Sequence, residues 1–165
     1  IAPGKSIAEH GSEVRRAIAA ADVVIGVNFC YDENSTDFIF CTNVKRLSML
    51  DSSLSIKTIL TSNLAREKGC GEMVISFNEL AYHNGKYCDD STVMMISLLA
   101  QLGYKGKIML AGFDGFSDGL ANFCEGVFDM THSRIVDNQY IDIIMADNYA
   151  DLDLELVTPS LHRLP

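Results

Sequence analysis

The chain contains an uninterrupted apolar run that ends in an amide side chain, Val23-Val24-Ile25-Gly26-Val27-Asn28. An apolar run of this length without polar alternation predicts a strand that is buried on both faces. Such strands belong to parallel sheets that are covered by helices on either side. The stretch therefore predicts an α/β fold.

Strand-like and helix-like patterns alternate on both sides of this stretch. Predicted strands cover residues 1–2, 23–27, 38–42, 57–61, 73–77, 108–111 and 154–157. Predicted helices cover residues 7–21, 44–50, 91–102 and 135–149, with a helical turn around 64–68. Ser6 is the predicted N-cap of the first helix, and Glu9 completes a capping box. Residues 78–89 lack periodicity and are predicted to form an irregular loop.

This order of elements predicts a three-layer, Rossmann-like, doubly wound domain with a mostly parallel sheet. The 165 residues fit a single domain that covers residues 1–165. Because the chain opens on Ile1 with what resembles the end of a strand, we expect it to be a fragment of a longer chain.

The charge balance narrows the expected partners. The net charge is −9 with a pI near 4.7, and no concentrated Lys/Arg surface is visible in the sequence. Nucleic acid and membranes are therefore not expected as partners, since both attract basic proteins. The two cationic pairs, Arg15-Arg16 and Lys45-Arg46, are assigned to the solvated faces of predicted helices.

The cysteines and histidines show no metal-binding or disulfide pattern. Five cysteines occur without Cys-x-x-Cys spacing, and four histidines occur without a His-x-His or His-Glu-x-x-His pair. This pattern predicts reduced thiols, a cytoplasmic location, and neither a metal site nor a cofactor in this chain.

Amide side chains follow the predicted strands at Asn28, Asn43, Asn63 and Asn78. In open α/β sheets, ligands bind outside the carboxyl ends of the strands. Amides suit hydroxyls, ring nitrogens and carbonyls, as found in a nucleoside or a sugar. The alternative is that each asparagine caps the following helix.

Three further segments are predicted to meet the same edge. Gly4-Lys5-Ser6 forms a turn before a helix, where free N–H groups attract an anion, although no complete P-loop motif is visible. Asp90 and Ser91 open the long apolar helix, as ligand contacts or as its N-cap. Asp114 follows a strand between two glycines, where it faces a ligand hydroxyl, acts as a base or stabilises the turn. The predicted ligand-binding residues are Gly4, Lys5, Ser6, Asn28, Asn43, Asn63, Asp90, Ser91 and Asp114, and no catalytic residue is assigned.

Several runs carry a resemblance to a known family. They are Ala2-Pro3-Gly4-Lys5-Ser6, Ile25-Gly26-Val27-Asn28, Asp37-Phe38-Ile39-Phe40, Asp90-Ser91-Thr92, Leu110-Ala111-Gly112-Phe113-Asp114-Gly115-Phe116 and Val157-Thr158-Pro159-Ser160. The chain resembles the carboxyl-terminal region of bacterial proteins of the 4-hydroxy-2-oxovalerate aldolase type, relatives of HMG-CoA lyase. In that family a TIM barrel comes first and holds a divalent metal with an Asp and a His-x-His pair, which this chain lacks. The resemblance implies that any lyase chemistry belongs to a barrel domain of the same parent chain.

A weaker likeness, at the level of the fold, is to bacterial sialyltransferases and pterin pyrophosphokinase-like proteins. It implies that Gly4, Ser6 and Asn28 contact a nucleotide, while Lys5 departs from the small or neutral residue usual there.

These observations favour an accessory domain that binds a small anionic ligand: a nucleotide, a sugar nucleotide or an acyl metabolite. The anion is expected against the Gly4–Ser6 turn. One alternative is a glycosyl- or phosphoryl-transferase with Asp114 as base and Lys5 against phosphate. Another is a domain that serves assembly only, and a homo-oligomer stays open.

Overall fold

A computed structural model describes residues 1–50, 56–64, 73–117, 123 and 135–165. Within these ranges the chain is a mixed α/β protein. The helices are α1 (Ser6–Glu9), α2 (Gly11–Ala20), α3 (Val44–Met49), α4 (Phe77–Ala81), α5 (Ser91–Gln101) and α6 (Ile135–Tyr149). The strands are β1 (Ile25–Val27), β2 (Phe38–Cys41), β3 (Lys57–Thr61), β4 (Met73–Ile75), β5 (Tyr82–His83), β6 (Lys86–Tyr87), β7 (Ile108–Leu110) and β8 (Leu154–Leu156).

The main sheet has four parallel strands in the order β1-β2-β3-β4. The side chains of β2 alternate between two apolar clusters, as the two-residue period of a strand requires. Ile39 and Cys41 pack with Leu47 of α3. Phe40, on the opposite face, packs with Leu80 of α4 and Met94 of α5. Both faces of β2 are therefore buried.

A second parallel pair consists of β7 and β8. The amino-terminal segment, residues 1–4, lies between this pair and β1. The Val27 amide donates to the Ile1 carbonyl (2.8 Å), and the Ala2 amide donates to the Ala111 carbonyl (2.8 Å). The Gly4 amide continues this pattern by donating to the Gly112 carbonyl (3.0 Å). Backbone hydrogen bonds thus connect the two sheets through the first residues of the chain.

Helix α5 packs against both parts of the molecule. Met94 and Met95 belong to the cluster under β1–β3, while Val93 and Ile96 belong to the cluster formed with β7 and α6. Its continuous apolar pattern fits a helix that is buried around most of its circumference. No helix in the described part of the chain is long and apolar enough to cross a membrane.

The α/β prediction is confirmed in its general form, and the bounds predicted for β3 and α6 match those of the structure. The predicted first helix is wrong in detail. The segment is broken at His10 (φ −116°, ψ 36°) into α1 and α2. Lys5, not Ser6, precedes α1, and no side chain caps it because the Ser6 hydroxyl donates to Asp114 instead.

The prediction of an irregular loop over residues 78–89 is also wrong. This segment contains most of α4 and the hairpin β5–β6, which turns at Asn84 (φ 48°) and Gly85 (φ 81°). Positive φ at both turn residues is the signature of the type I′ turn that Asn-Gly favours. The predicted helical turn around 64–68 lies almost wholly outside the described residues.

Candidate functional site

A cavity of about 550 Å³ lies at the carboxyl ends of β1, β2, β3 and β7. Its size is within the usual range for small-molecule sites. Most of the predicted binding residues line it: Gly4, Asn28, Asn43, Asn63, Asp90, Ser91 and Asp114. Lys5 and Ser6 are not part of this lining. Asn78 is an exposed residue of α4 and does not line it either.

A hydrogen-bonded network of Asn28, Thr42 and Ser91 forms part of the cavity wall. Asn28 has a positive φ (53°), which asparagine tolerates better than most residues, and this turns its side chain back over β2. Its Oδ1 accepts from the Thr42 amide (2.8 Å). Its Nδ2 donates to the hydroxyls of Thr42 (3.2 Å) and Ser91 (2.6 Å). The network joins the ends of β1 and β2 to the start of α5.

The two hydroxyls of this network lie 2.6 Å apart, so one donates to the other. That bond uses one of their two protons. The other proton is not used by Asn28, because the Asn28 amide group donates to both hydroxyl oxygens. Thr42 is buried, whereas Ser91 is half-buried. Donation from Thr42 to Ser91 leaves the Ser91 proton directed to the more accessible side. The network can therefore donate one hydrogen bond to a ligand in the cavity.

Two of the predicted site residues act as helix caps. Asn43 Oδ1 accepts from the amides of Lys45 (2.9 Å) and Arg46 (3.3 Å) at the start of α3. Asp90 Oδ1 accepts from the amides of Thr92 (2.9 Å) and Val93 (3.1 Å) at the start of α5. For these two residues the capping alternative is the one that the geometry shows.

The carboxylate of Asp114 lies at the Gly4–Ser6 turn, where an external anion was expected. Its Oδ2 accepts from the Ser6 amide (2.8 Å), and its Oδ1 accepts from the Ser6 hydroxyl. The donors expected to meet an external anion are thus bonded to a carboxylate of the chain itself. Lys5 lies outside, 3.9 Å from Glu9 Oε1, with its side chain 58% exposed.

Lys45 and Arg46, which the sequence assigned to a solvated helix face, are two cations at the cavity. Both line the cavity at the start of α3, and the Arg46 guanidinium lies 4.6 Å from the centre of the Phe123 ring. The available signal was their position two and three residues after Asn43, at the end of a strand. A helix that starts at the carboxyl edge of a sheet directs its first turn towards that edge.

His162 was not among the binding residues predicted from the sequence, yet it is 5% exposed and lines the cavity. Its Nδ1 lies 2.9 Å from Asp142 Oδ1, and its ring stacks on Phe113 with the centroids 4.2 Å apart. Asp142 precedes His162 by 20 residues in the chain, so no local motif joins the two.

The described residues contain no group of three or more His, Cys, Asp or Glu side chains arranged to hold a metal ion. Cys30, Cys41 and Cys88, the cysteines in the described ranges, are not part of a disulfide. Cys70 and Cys124 lie outside the described residues.

Comparison of the chain with models of protein families, with curated proteins and with solved structures found no match.

Proposed function

We propose that the cavity binds a small anionic metabolite of the nucleotide, sugar-nucleotide or acyl type. The observation that carries this proposal is the combination of a neutral hydrogen-bonding wall, Asn28–Thr42–Ser91, with Lys45 and Arg46 in one cavity. Amides and hydroxyls bind the uncharged part of such a ligand, while a lysine and an arginine attract its anionic group.

The distribution of charge in the cavity favours the α3 side for the anion. Asp114 already meets the donors of the first turn, and Asp89 and Asp90 line the cavity near the start of α5. A phosphate or carboxylate near these side chains would be repelled. Lys45 and Arg46 of α3 are positively charged and would attract such a group.

We also infer that the two parallel sheets form one doubly wound, Rossmann-like sheet with helices on both faces. The hydrogen bonds of Ile1, Ala2 and Gly4 to residues of β1 and to the end of β7 support this inference, as does the burial of both faces of β2. Binding at the carboxyl edge is the general behaviour of such sheets. As the resemblance implies, the domain would serve as an accessory to an aldolase barrel of the same parent chain.

The transferase alternative gives Asp114 the role of base. Both of its oxygens accept hydrogen bonds from Ser6, so the carboxylate acts as an anchor for α1. This arrangement does not favour proton abstraction by Asp114. Ligand binding is therefore the better supported of the two functions.

A thermal-shift series tests the proposal, because a ligand that binds only the folded state raises the unfolding temperature. Nucleotides, nucleoside-diphosphate sugars and acyl-CoA compounds are added at millimolar concentration. We expect at least one class to raise the midpoint. If none does, the binding proposal fails and the assembly-only alternative takes its place.

Variants of the cations then locate the anion. Lys45→Gln and Arg46→Gln should each weaken a ligand by about tenfold, since hydrogen bonds to charged groups are the stronger ones. Lys105→Gln, an exposed residue away from the cavity, is the matched control. If Lys5→Gln weakens the ligand while Lys45→Gln and Arg46→Gln do not, the anion lies at the first turn instead.

A further inference from the structure

His162 follows β8 in the chain and lines the cavity beside Phe113, which follows β7. Its ring is held in one orientation. Its ring stacks on Phe113 with an interplanar angle of 17°. Nδ1 lies 2.9 Å from Asp142 Oδ1, and the backbone amide of His162 donates to the Ser160 hydroxyl (3.0 Å). A buried ring with contacts on its face, its Nδ1 edge and its backbone has little freedom to turn.

The partners of Asp142 determine which ring nitrogen carries the proton. Asp142 Oδ1 also accepts from the Arg163 amide (3.2 Å). An ionised carboxylate only accepts hydrogen bonds, so Nδ1 must donate to it. In the neutral ring Nε2 then carries a lone pair, and it can accept a hydrogen bond from an O–H group.

Gly115 keeps the Nε2 edge of the ring open. A Cβ atom at this position would lie 3.3 Å from Nε2 and 3.0 Å from Asn138 Oδ1. Gly115 itself lines the cavity beside His162. No hydrogen bond to Nε2 is found among the residues that the structure describes. The acceptor is therefore available on the side of the cavity.

His162 and the two cations lie at the ends of different strands. The cations follow β2, whereas His162 stacks on Phe113, which follows β7. Between these strands lie β1 and the amino-terminal segment. Three interstrand spacings amount to about 14 Å. A ligand that extends along this edge of the sheet can meet both groups.

We propose that His162, oriented by Asp142, forms a second subsite that accepts a hydrogen bond from a hydroxyl at the far end of a bipartite ligand. The anionic group of this ligand lies near Lys45 and Arg46. Among the ligand classes named above, this selects a nucleoside diphosphate joined to a hydroxylated group such as a sugar. The inference rests on the proposed function and extends it to a substrate class.

The test is a ladder of compounds measured by isothermal titration calorimetry. In each of the uridine, cytidine, adenosine and guanosine series, the 5′-monophosphate, the diphosphate and the diphosphoglucose are titrated into the full chain. In at least one series the diphosphoglucose should bind more tightly than the diphosphate. His162→Phe preserves a stacked ring, and it should remove this gain of about 2- to 10-fold, the usual range for one hydrogen bond. The affinity for the monophosphate should not change.

Asp142→Ala is the second variant and does not depend on removing the ring. Asn is unsuitable, because its carbonyl oxygen could still accept from both Nδ1 and the Arg163 amide. Alanine removes the acceptor that holds the proton on Nδ1, so the neutral ring can carry its proton on Nε2, where it donates instead of accepting. The gain from the glucose should be lost in this variant as well. His10→Gln, at a histidine outside the cavity lining, is the matched control and should retain the gain. Circular dichroism checks the fold of each variant, and Asp142→Ala is the deciding variant if His162→Phe does not fold.

The outcomes separate this inference from the proposed function. If the monophosphate and diphosphate bind but glucose adds no affinity, the cavity binds a ligand and the second subsite is refuted. The second subsite is also refuted if both variants keep the gain, or if they weaken the monophosphate equally. If no compound in any series binds, the proposed function fails, and the subsite fails with it.

Discussion

The carboxylate of Asp114 accepts two hydrogen bonds from Ser6, a residue 108 positions earlier in the chain. The Ser6 amide lies 2.8 Å from Oδ2, and the Ser6 hydroxyl donates to Oδ1. Ser6 is buried, so water cannot easily replace Asp114 as its partner. This contact fixes the start of α1 to the end of β7 beside the cavity.

Asp114→Asn should therefore destabilise the protein. An amide retains one acceptor for the Ser6 amide, but its NH2 group can only donate to the Ser6 hydroxyl, whose own proton then loses its acceptor. We expect a loss of about 1–3 kcal/mol in the free energy of unfolding, the usual cost of leaving a buried donor without an acceptor. Urea denaturation measures it, with Asp151→Asn, an exposed residue, as the control. Equal stability of the two variants would contradict this account.

The approach of residues 1–4 to the end of β7 depends on Gly112. This residue has φ 74°, and a Cβ atom there would collide with the Ala2 carbonyl oxygen. Gly103 has almost the same φ (73°), yet a Cβ atom there would meet nothing within 4 Å. Alanine at either site carries the backbone strain, about 1–3 kcal/mol. Only Gly112→Ala adds the collision, so its chemical-denaturation midpoint should fall further than that of Gly103→Ala. Similar midpoints would show that residues 1–4 do not need this close approach.

The sequence predicts the elements whose pattern is local. The apolar run at residues 23–27 and the alternation of strands with helices indicate a parallel α/β sheet, which the structure shows at β1–β4. The Asn84-Gly85 hairpin was wrongly predicted to be part of an irregular loop, although Asn-Gly is the strongest short signal of a type I′ turn. The flanking strands have only two residues each, too few to show alternation.

Contacts between distant residues explain the remaining differences. Ser6 has the pattern of an N-cap, but its hydroxyl bonds Asp114 because the fold brings β7 to it. His162 appears isolated in the sequence, and its partner Asp142 comes from α6. Neither pairing has a sequence spacing that local chemistry could predict. The asparagines at strand ends were found because they follow the strands directly.

All five cysteines are expected to be reduced, including Cys70 and Cys124 outside the described ranges. Ellman's reagent in denaturant without reductant should detect five free thiols, since the cysteine spacing shows no disulfide pattern. In the native protein Cys41 (0% exposed) and Cys88 (6% exposed) should react slowly. Burial raises the pKa of the half-buried Cys30 thiol, which lowers the population of its reactive thiolate. Fewer than five thiols in denaturant would reveal a disulfide.

A second buried histidine, His83, gives the stability of the protein a dependence on pH. His83 is 3% exposed, and its Nδ1 lies 2.8 Å from the Tyr149 hydroxyl. Desolvation lowers the pKa of His83 below its ordinary value of 6.5, because the charged ring is poorly solvated there. The unfolded chain has no such penalty and takes up the proton near pH 6.5.

His83 should therefore make the protein less stable as the pH falls below about 6.5, while above this pH the ring is neutral in both states and contributes no dependence. One such group changes the free energy of unfolding by at most about 1.4 kcal/mol per pH unit.

His83→Gln keeps a polar partner for Tyr149 but cannot titrate. Urea denaturation at pH 8.0 gives the cost of the altered packing alone, and repetition at lower pH, down to about 5, gives the titration. We expect the stability of the variant to fall less steeply than that of the wild type over the acidic half of this range, so that the two curves converge. Curves that stay parallel would show that His83 accepts its proton equally well in the folded protein.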